Sequence, residues 1–78
     1  MYDPIYRLYN LNLHNPYNEF FEFCGFKNMV NYINDRYWHV KSPLTDKETF
    51  RQIRDLGTLT PGKRFISLQY NFIVERFL

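Results

Sequence analysis

The chain reads as a small α+β fold: an antiparallel sheet of about three strands, in ββααβ order, covered on one face by two or three short helices. Three observations predict it. Apolar and polar residues alternate near both ends of the chain, the period of a strand with one wet face. Between those ends, Phe26, Met29, Val30, Ile33 and Tyr37 recur at helical spacing. Farther along, Thr45-Asp46-Lys47-Glu48 has the spacing of a capping box, a helix start in which Thr45 accepts from first-turn amides and Glu48 reaches back.

In order, residues 5–13 alternate from Tyr9 onward, with Tyr9, Leu11 and Leu13 on one face and Asn10 and Asn12 on the other. This is the first strand, and His14-Asn15-Pro16-Tyr17 reads as the turn after it. Residues 17–24 admit two readings. Asn15 and Pro16 can cap and start a helix, while the alternating Phe-rich run fits a strand equally well. A helix continuous with the next segment would bury two opposed faces, since Tyr17, Phe20, Phe21 and Cys24 lie opposite the Phe26–Tyr37 stripe. A break at Gly25 resolves the conflict, giving a strand over 18–24 and a helix over 26–37; the alternative order is βαααβ.

Residues 38–41 read as an extended exit, and Ser42-Pro43 blocks helix there. The capped helix that follows is expected to bury Phe50, Ile53 and Leu56 and to end on Gly57 as a C-terminal cap. Thr60-Pro61-Gly62-Lys63 is a type II turn, with proline setting φ and glycine accepting φ > 0. From Phe65 to about Val74, Ile66, Leu68, Tyr70, Phe72 and Val74 alternate with Ser67, Gln69 and Asn71, which predicts one long last strand. A three-stranded sheet has two edges. An apolar strand so late in the chain needs something to pair with, and a homodimer through a sheet edge is one way to cover it.

The 78 residues supply one core, residues 1–78 forming a single domain. A chain this short buries about 60–65% of the surface its unfolded form exposes. Cys24 is the only cysteine, so no internal disulfide can help; it reads as a small buried hydrophobe in a reducing compartment. Aromatic mass is the substitute: 21% of residues are Phe, Tyr or Trp, and each buried ring removes about 150–250 Å² from water. The surplus that cannot fit inside points to a partner. Asp3, Pro4 and Arg7 stand where a secretory apolar run would be, and the longest apolar runs fall far short of the ~20 residues a membrane helix needs. The expected setting is therefore cytoplasmic, without a membrane. The complete lack of alanine beside abundant Asn, Tyr, Phe and Ile reads as AT-rich coding, as in a phage or mobile-element accessory factor.

No chemistry-bearing motif stands out. Cys24, His14 and His39 have no paired metal-ligand spacing, and cysteine–histidine catalysis would need the fold to bring them together. Glu19 and Glu22 give no sign of a buried acid/base pair. Gly25, Gly57 and Gly62 are explained by turns and caps rather than by a phosphate loop. Neither an enzyme, a cofactor nor a metal is expected. What the sequence does offer is a basic surface. Lys47, Arg51 and Arg54 recur on one side of the capped helix, and Lys63 and Arg64 follow in the Pro-Gly turn. Should that turn fold back beside the helix, five cations would converge. Tyr2 and Tyr6, with Tyr9, add aromatic anchors near the start of the chain.

The leading expectation is a non-enzymatic protein-binding factor, a regulator or inhibitor of a larger protein, acting through an aromatic and arginine surface where such side chains concentrate binding energy. The second is an RNA- or DNA-binding module built on Lys47, Arg51, Arg54, Lys63 and Arg64, with tyrosines stacking on bases. A small ribonuclease toxin using His14 or His39 ranks third.

Overall fold

The computed structural model of the chain describes residues 3–38 and 47–78. Strand β1 (Ile5–Asn10) and β2 (Phe20–Cys24) form a hairpin. Helix α1 (Phe26–Ile33) follows and runs into a π-helical turn, Asn34–Trp38. Helix α2 (Lys47–Gly57) precedes a second hairpin of β3 (Arg64–Ser67) and β4 (Phe72–Arg76). All four strands join one antiparallel sheet in the order β2-β1-β4-β3. The α+β class and the strand over most of 18–24 are as the sequence predicts, but the sheet has four strands rather than three. Strand β1 is shorter than the predicted 5–13: it ends at Asn10, where the Asn10 side chain accepts from the Asn12 amide at 2.9 Å and turns the chain. Thr45, Tyr2, His39 and the Ser42-Pro43 break lie outside the described residues.

The single long last strand is in fact a hairpin. Asn71 takes a left-handed conformation, φ 56°, which asparagine tolerates better than most residues. Its carbonyl accepts from Leu11 at 2.8 Å, and its side chain donates to Asn12 Oδ1 at 3.2 Å. The loop therefore locks onto the β1–β2 connection. Because alternation continues through Leu68 and Tyr70, the period alone cannot reveal the fold-back. The last strand is also central, flanked by β1 and β3, so it offers no edge for a dimer; the edges are β2 and β3.

Register assigns the two sheet faces. Tyr6, Leu8, Phe21, Phe23, Phe65, Phe72 and Val74 share the face toward the helices. There Tyr6, Leu8, Phe72 and Val74 join Met29, Ile33, Trp38 and Leu56 in the buried core. The π turn has a clear role. Widening the helix after Ile33 lets Tyr37 and Trp38 both reach Phe72, at ring-centroid distances of 4.8 and 6.5 Å. Gly25 makes the strand-to-helix corner with φ 93°, ψ 143°, a region essentially closed to residues with a Cβ.

Helix α2 is rotated relative to expectation. Its buried stripe is Thr49, Gln52 and Leu56, with Ile53 half-buried, whereas Phe50 is 45% exposed. At 100° per residue Phe50 lies well off the line through Thr49, Gln52 and Leu56. Two polar side chains inside the interface are what hydrophobic pattern-reading leaves out. Gly57 ends the helix without a positive φ; instead the Thr58 hydroxyl donates to the Asp55 carbonyl at 2.9 Å. The Pro61-Gly62 turn forms as predicted, with Gly62 at φ 85° and Lys63 N donating to Thr60 O at 3.0 Å.

No described helix or strand packs on the other sheet face. Its middle register row crosses all four strands: Glu22, Arg7, Glu75 and Arg64. Arg7 Nε donates to Glu22 at 3.1 Å and Arg64 Nε to Glu75 at 2.9 Å. On one side of that row lie Phe20, Tyr9, Ile73 and Ile66.

Candidate functional site: an aromatic and arginine cleft

A concavity of about 550 Å³ opens where the β1–β2 connection and the start of β2 meet α1 and its π turn. Its size falls within the range of binding pockets. Phe21, Tyr32, Tyr37 and Arg36 carry its aromatic and cationic character, with Leu13 and Glu19 at the rim. Each is placed by local structure. Phe21 is on the helix-side face of edge strand β2 but beyond the helix, so it remains 51% exposed. Tyr32 spans the gap, stacking near both Phe21 and Phe23 at 5.3 and 5.1 Å. Arg36 follows one helical turn later and holds its guanidinium 5.6 Å above the Tyr32 ring, a cation–π geometry.

The electrostatics are simple. Burial pushes the Tyr37 phenol above its ordinary value, neighbouring Tyr32 adds to that rise, and Arg36 opposes it. Tyr37 therefore stays neutral at physiological pH and presents a hydrogen-bonding hydroxyl rather than a charge. The cleft thus offers tilted, closely packed rings, one guanidinium and a neutral phenol. These groups suit recognition of an apolar or aromatic side chain with a nearby acceptor.

The residues singled out from sequence are distributed differently. Tyr6 is 3% exposed and packs 6.3 Å from Phe26; it is a core residue, because its place in β1 faces the helices. Tyr9 is also buried. Cys24, expected inside, is exposed, since β2 parity turns it to the helix-free face. Lys47, Arg51 and Arg54 do gather, around the exposed Phe50. Arg51 is bonded to Glu48 and Arg54 lies 3.7 Å from Asp55. Arg64 does not join them: strand alternation puts it on the opposite side of the sheet, beside Glu75, and so the five cations do not converge. Lys63 is exposed in its turn. Comparison with family models, curated proteins and solved structures finds no match to this chain.

Among the described residues no three of His, Cys, Asp or Glu gather in a metal-holding group, and no described helix is long and apolar enough to cross a membrane. His14 is exposed in the β1–β2 connection. Sequence reasoning missed the cleft because its parts come from three separated segments. The available signal was Arg36, four residues after Tyr32 on the face next to the buried stripe.

Proposed function

We propose that this chain is a non-enzymatic protein-binding factor, a cytoplasmic regulator or inhibitor of a larger protein, that takes an apolar or aromatic side chain of its partner in the Phe21/Tyr32/Arg36/Tyr37 cleft. The observation that carries the reading is the composition of that concavity. Tyr and Arg in desolvated, concave settings contribute most to protein–protein affinity. Here both stand on short regular elements, so little ordering is required on binding.

The test uses a tagged chain to capture proteins from nuclease-treated lysate of the source organism, beside an Arg36→Glu/Leu13→Asp variant. Both substituted side chains are exposed, and circular dichroism checks that the fold is retained. A protein enriched by the original chain and lost with the variant supports the reading. An identical capture profile for the two overturns it.

A second reading, single-stranded nucleic acid on α2, draws on one feature: Phe50 exposed among Lys47, Arg51 and Arg54. A base could stack on Phe50 while the cations meet phosphates. Affinity for an oligonucleotide would then fall steeply with salt and be lost in Arg51→Glu/Arg54→Glu. Binding that ignores salt excludes it.

A further inference from the structure

The helix-free sheet face carries an ordered charge pattern that calls for explanation. Read from one edge strand to the other, the middle row is Glu22, Arg7, Glu75, Arg64, which is minus, plus, minus, plus. Each of the four already has a partner within the chain, Arg7 with Glu22 and Arg64 with Glu75. Exposed pairs of this kind contribute little to the stability of one chain, about 0–1 kcal/mol. Apolar groups flank the row on both sides. Phe20, Tyr9, Ile73 and Ile66 form one neighbouring row. On the other side the Phe77 ring lies 4.2 Å from the Arg7 guanidinium. Ile66, Phe20 and Phe77 are all substantially exposed, Ile66 to 56%.

The pattern has a symmetry consequence. Reversing a minus-plus-minus-plus row gives plus-minus-plus-minus, its own complement. Consider two copies stacked face to face about a two-fold axis parallel to the strands. Such an axis reverses the order of strands while leaving positions along them unchanged. Glu22 then lies over Arg64 of the second copy, and Arg7 over its Glu75, so all four contacts join opposite charges. The exposed ends of the apolar row meet as well, Phe20 over Ile66, while Tyr9 and Ile73 between them are already buried within each chain. The other in-plane two-fold axis, across the strands, instead stacks Glu22 on Glu22 and Arg64 on Arg64. Aligned packing of two twisted sheets at about 30° is a common arrangement, and isologous dimers need this kind of self-complementary patch.

We propose that this face binds a second copy of the chain, as a two-fold dimer with its axis along the strands. The contact is modest. Five-residue strands are about 17 Å long and four of them about 19 Å wide, a projected face of roughly 300 Å² per protomer. That places the dimer at the weak end of specific interfaces, below about 1,200 Å² in total. The face shares Phe20 with the cleft lining but none of Phe21, Tyr32, Arg36 and Tyr37, so failure of one proposal leaves the other standing.

The experiment is sedimentation equilibrium of the full chain from about 5 to 500 µM, the range such an interface calls for. Arg64→Glu and Glu22→Arg, each alone, place like charges at two symmetric contacts and should weaken the dimer about tenfold or more. Mixed together they pair Glu with Arg at one contact and keep the original pair at the other. The mixture should therefore restore association as a heterodimer, read by native mass spectrometry on differently tagged chains. Ile66→Glu should abolish the dimer while the thermal midpoint holds. A monomer mass throughout the range overturns the proposal. A dimer indifferent to Ile66→Glu, or a mixture that associates no better than the single variants, overturns it equally.

Discussion

Gln52 offers a prediction whose sign runs against the usual rule that core substitutions destabilise. The residue is 8% exposed on the buried stripe of α2, and its side-chain carbonyl Oε1 has no hydrogen-bond partner among the described residues. An unmet buried acceptor costs about 1–3 kcal/mol. Gln52→Met keeps length and flexibility, and the two residues have nearly equal helix propensity, so the polar penalty dominates the difference. The variant should gain about 1 kcal/mol, which in a domain of this size raises the thermal midpoint by about 4–8 °C. Thermal melts by circular dichroism measure it, and urea unfolding with an unchanged slope confirms that only stability moved. A midpoint lowered by a similar margin would refute the reasoning, because it would mean the amide oxygen is bonded in solution.

Other perturbations probe the same framework. Leu8 is fully buried in the central strand β1, and Leu8→Ala should cost about 2–5 kcal/mol, a large share of the roughly 4–12 kcal/mol available to such a domain; Ile66→Ala on the exposed face should cost under about 0.5 kcal/mol, and denaturant titration of the pair compares them. Gly25→Ala meets nothing closer than Asn28 Nδ2 at 4.0 Å, so its loss of about 1–3 kcal/mol reports backbone conformation rather than collision; an unchanged melting curve would contradict the left-handed corner. The fold favours the neutral Tyr37 phenol. Its contribution is therefore complete below the unfolded value near pH 10 and fades as pH rises through the raised folded one. Tyr37→Phe should flatten the alkaline fall of the melting midpoint, and an identical slope in both proteins would discount the burial argument.

Periodicity located the elements well where one face is apolar and the other polar. The Phe26–Tyr37 stripe and the Pro61-Gly62 turn are the clearest cases. It failed in three physical situations. Alternation passes unbroken through Leu68–Asn71, so a tight loop held by a left-handed asparagine was invisible. The α2 interface is built on Thr49 and Gln52, which a hydrophobic pattern assigns to solvent, and Phe50 was drawn inward as a result. Strand order is a long-range property, and no local signal marks the chain's last strand as central. The candidate cleft shares that limitation. Of its parts only the Tyr32–Arg36 spacing is local, and Phe21 meets them through pairing of β2 with β1. Among the residues first selected, Lys47, Arg51 and Arg54 do share a surface, because helical spacing is local information.

The central position of β4 also has a kinetic meaning. The inner seam of the sheet pairs Tyr6 with Arg76 and Asn10 with Phe72, and Phe77 N donates to Ile5 O at 2.7 Å. The two outer hairpins can close over short loops, but this seam requires nearly the whole chain to be gathered first. Loop-closure entropy is spent before the seam contributes anything, which places folding on the slow side for a domain so small. During synthesis the first hairpin and α1 would emerge with half the sheet missing. The inner backbone edge of β1 would stay unpaired until β4, carried by the second hairpin, docks against it.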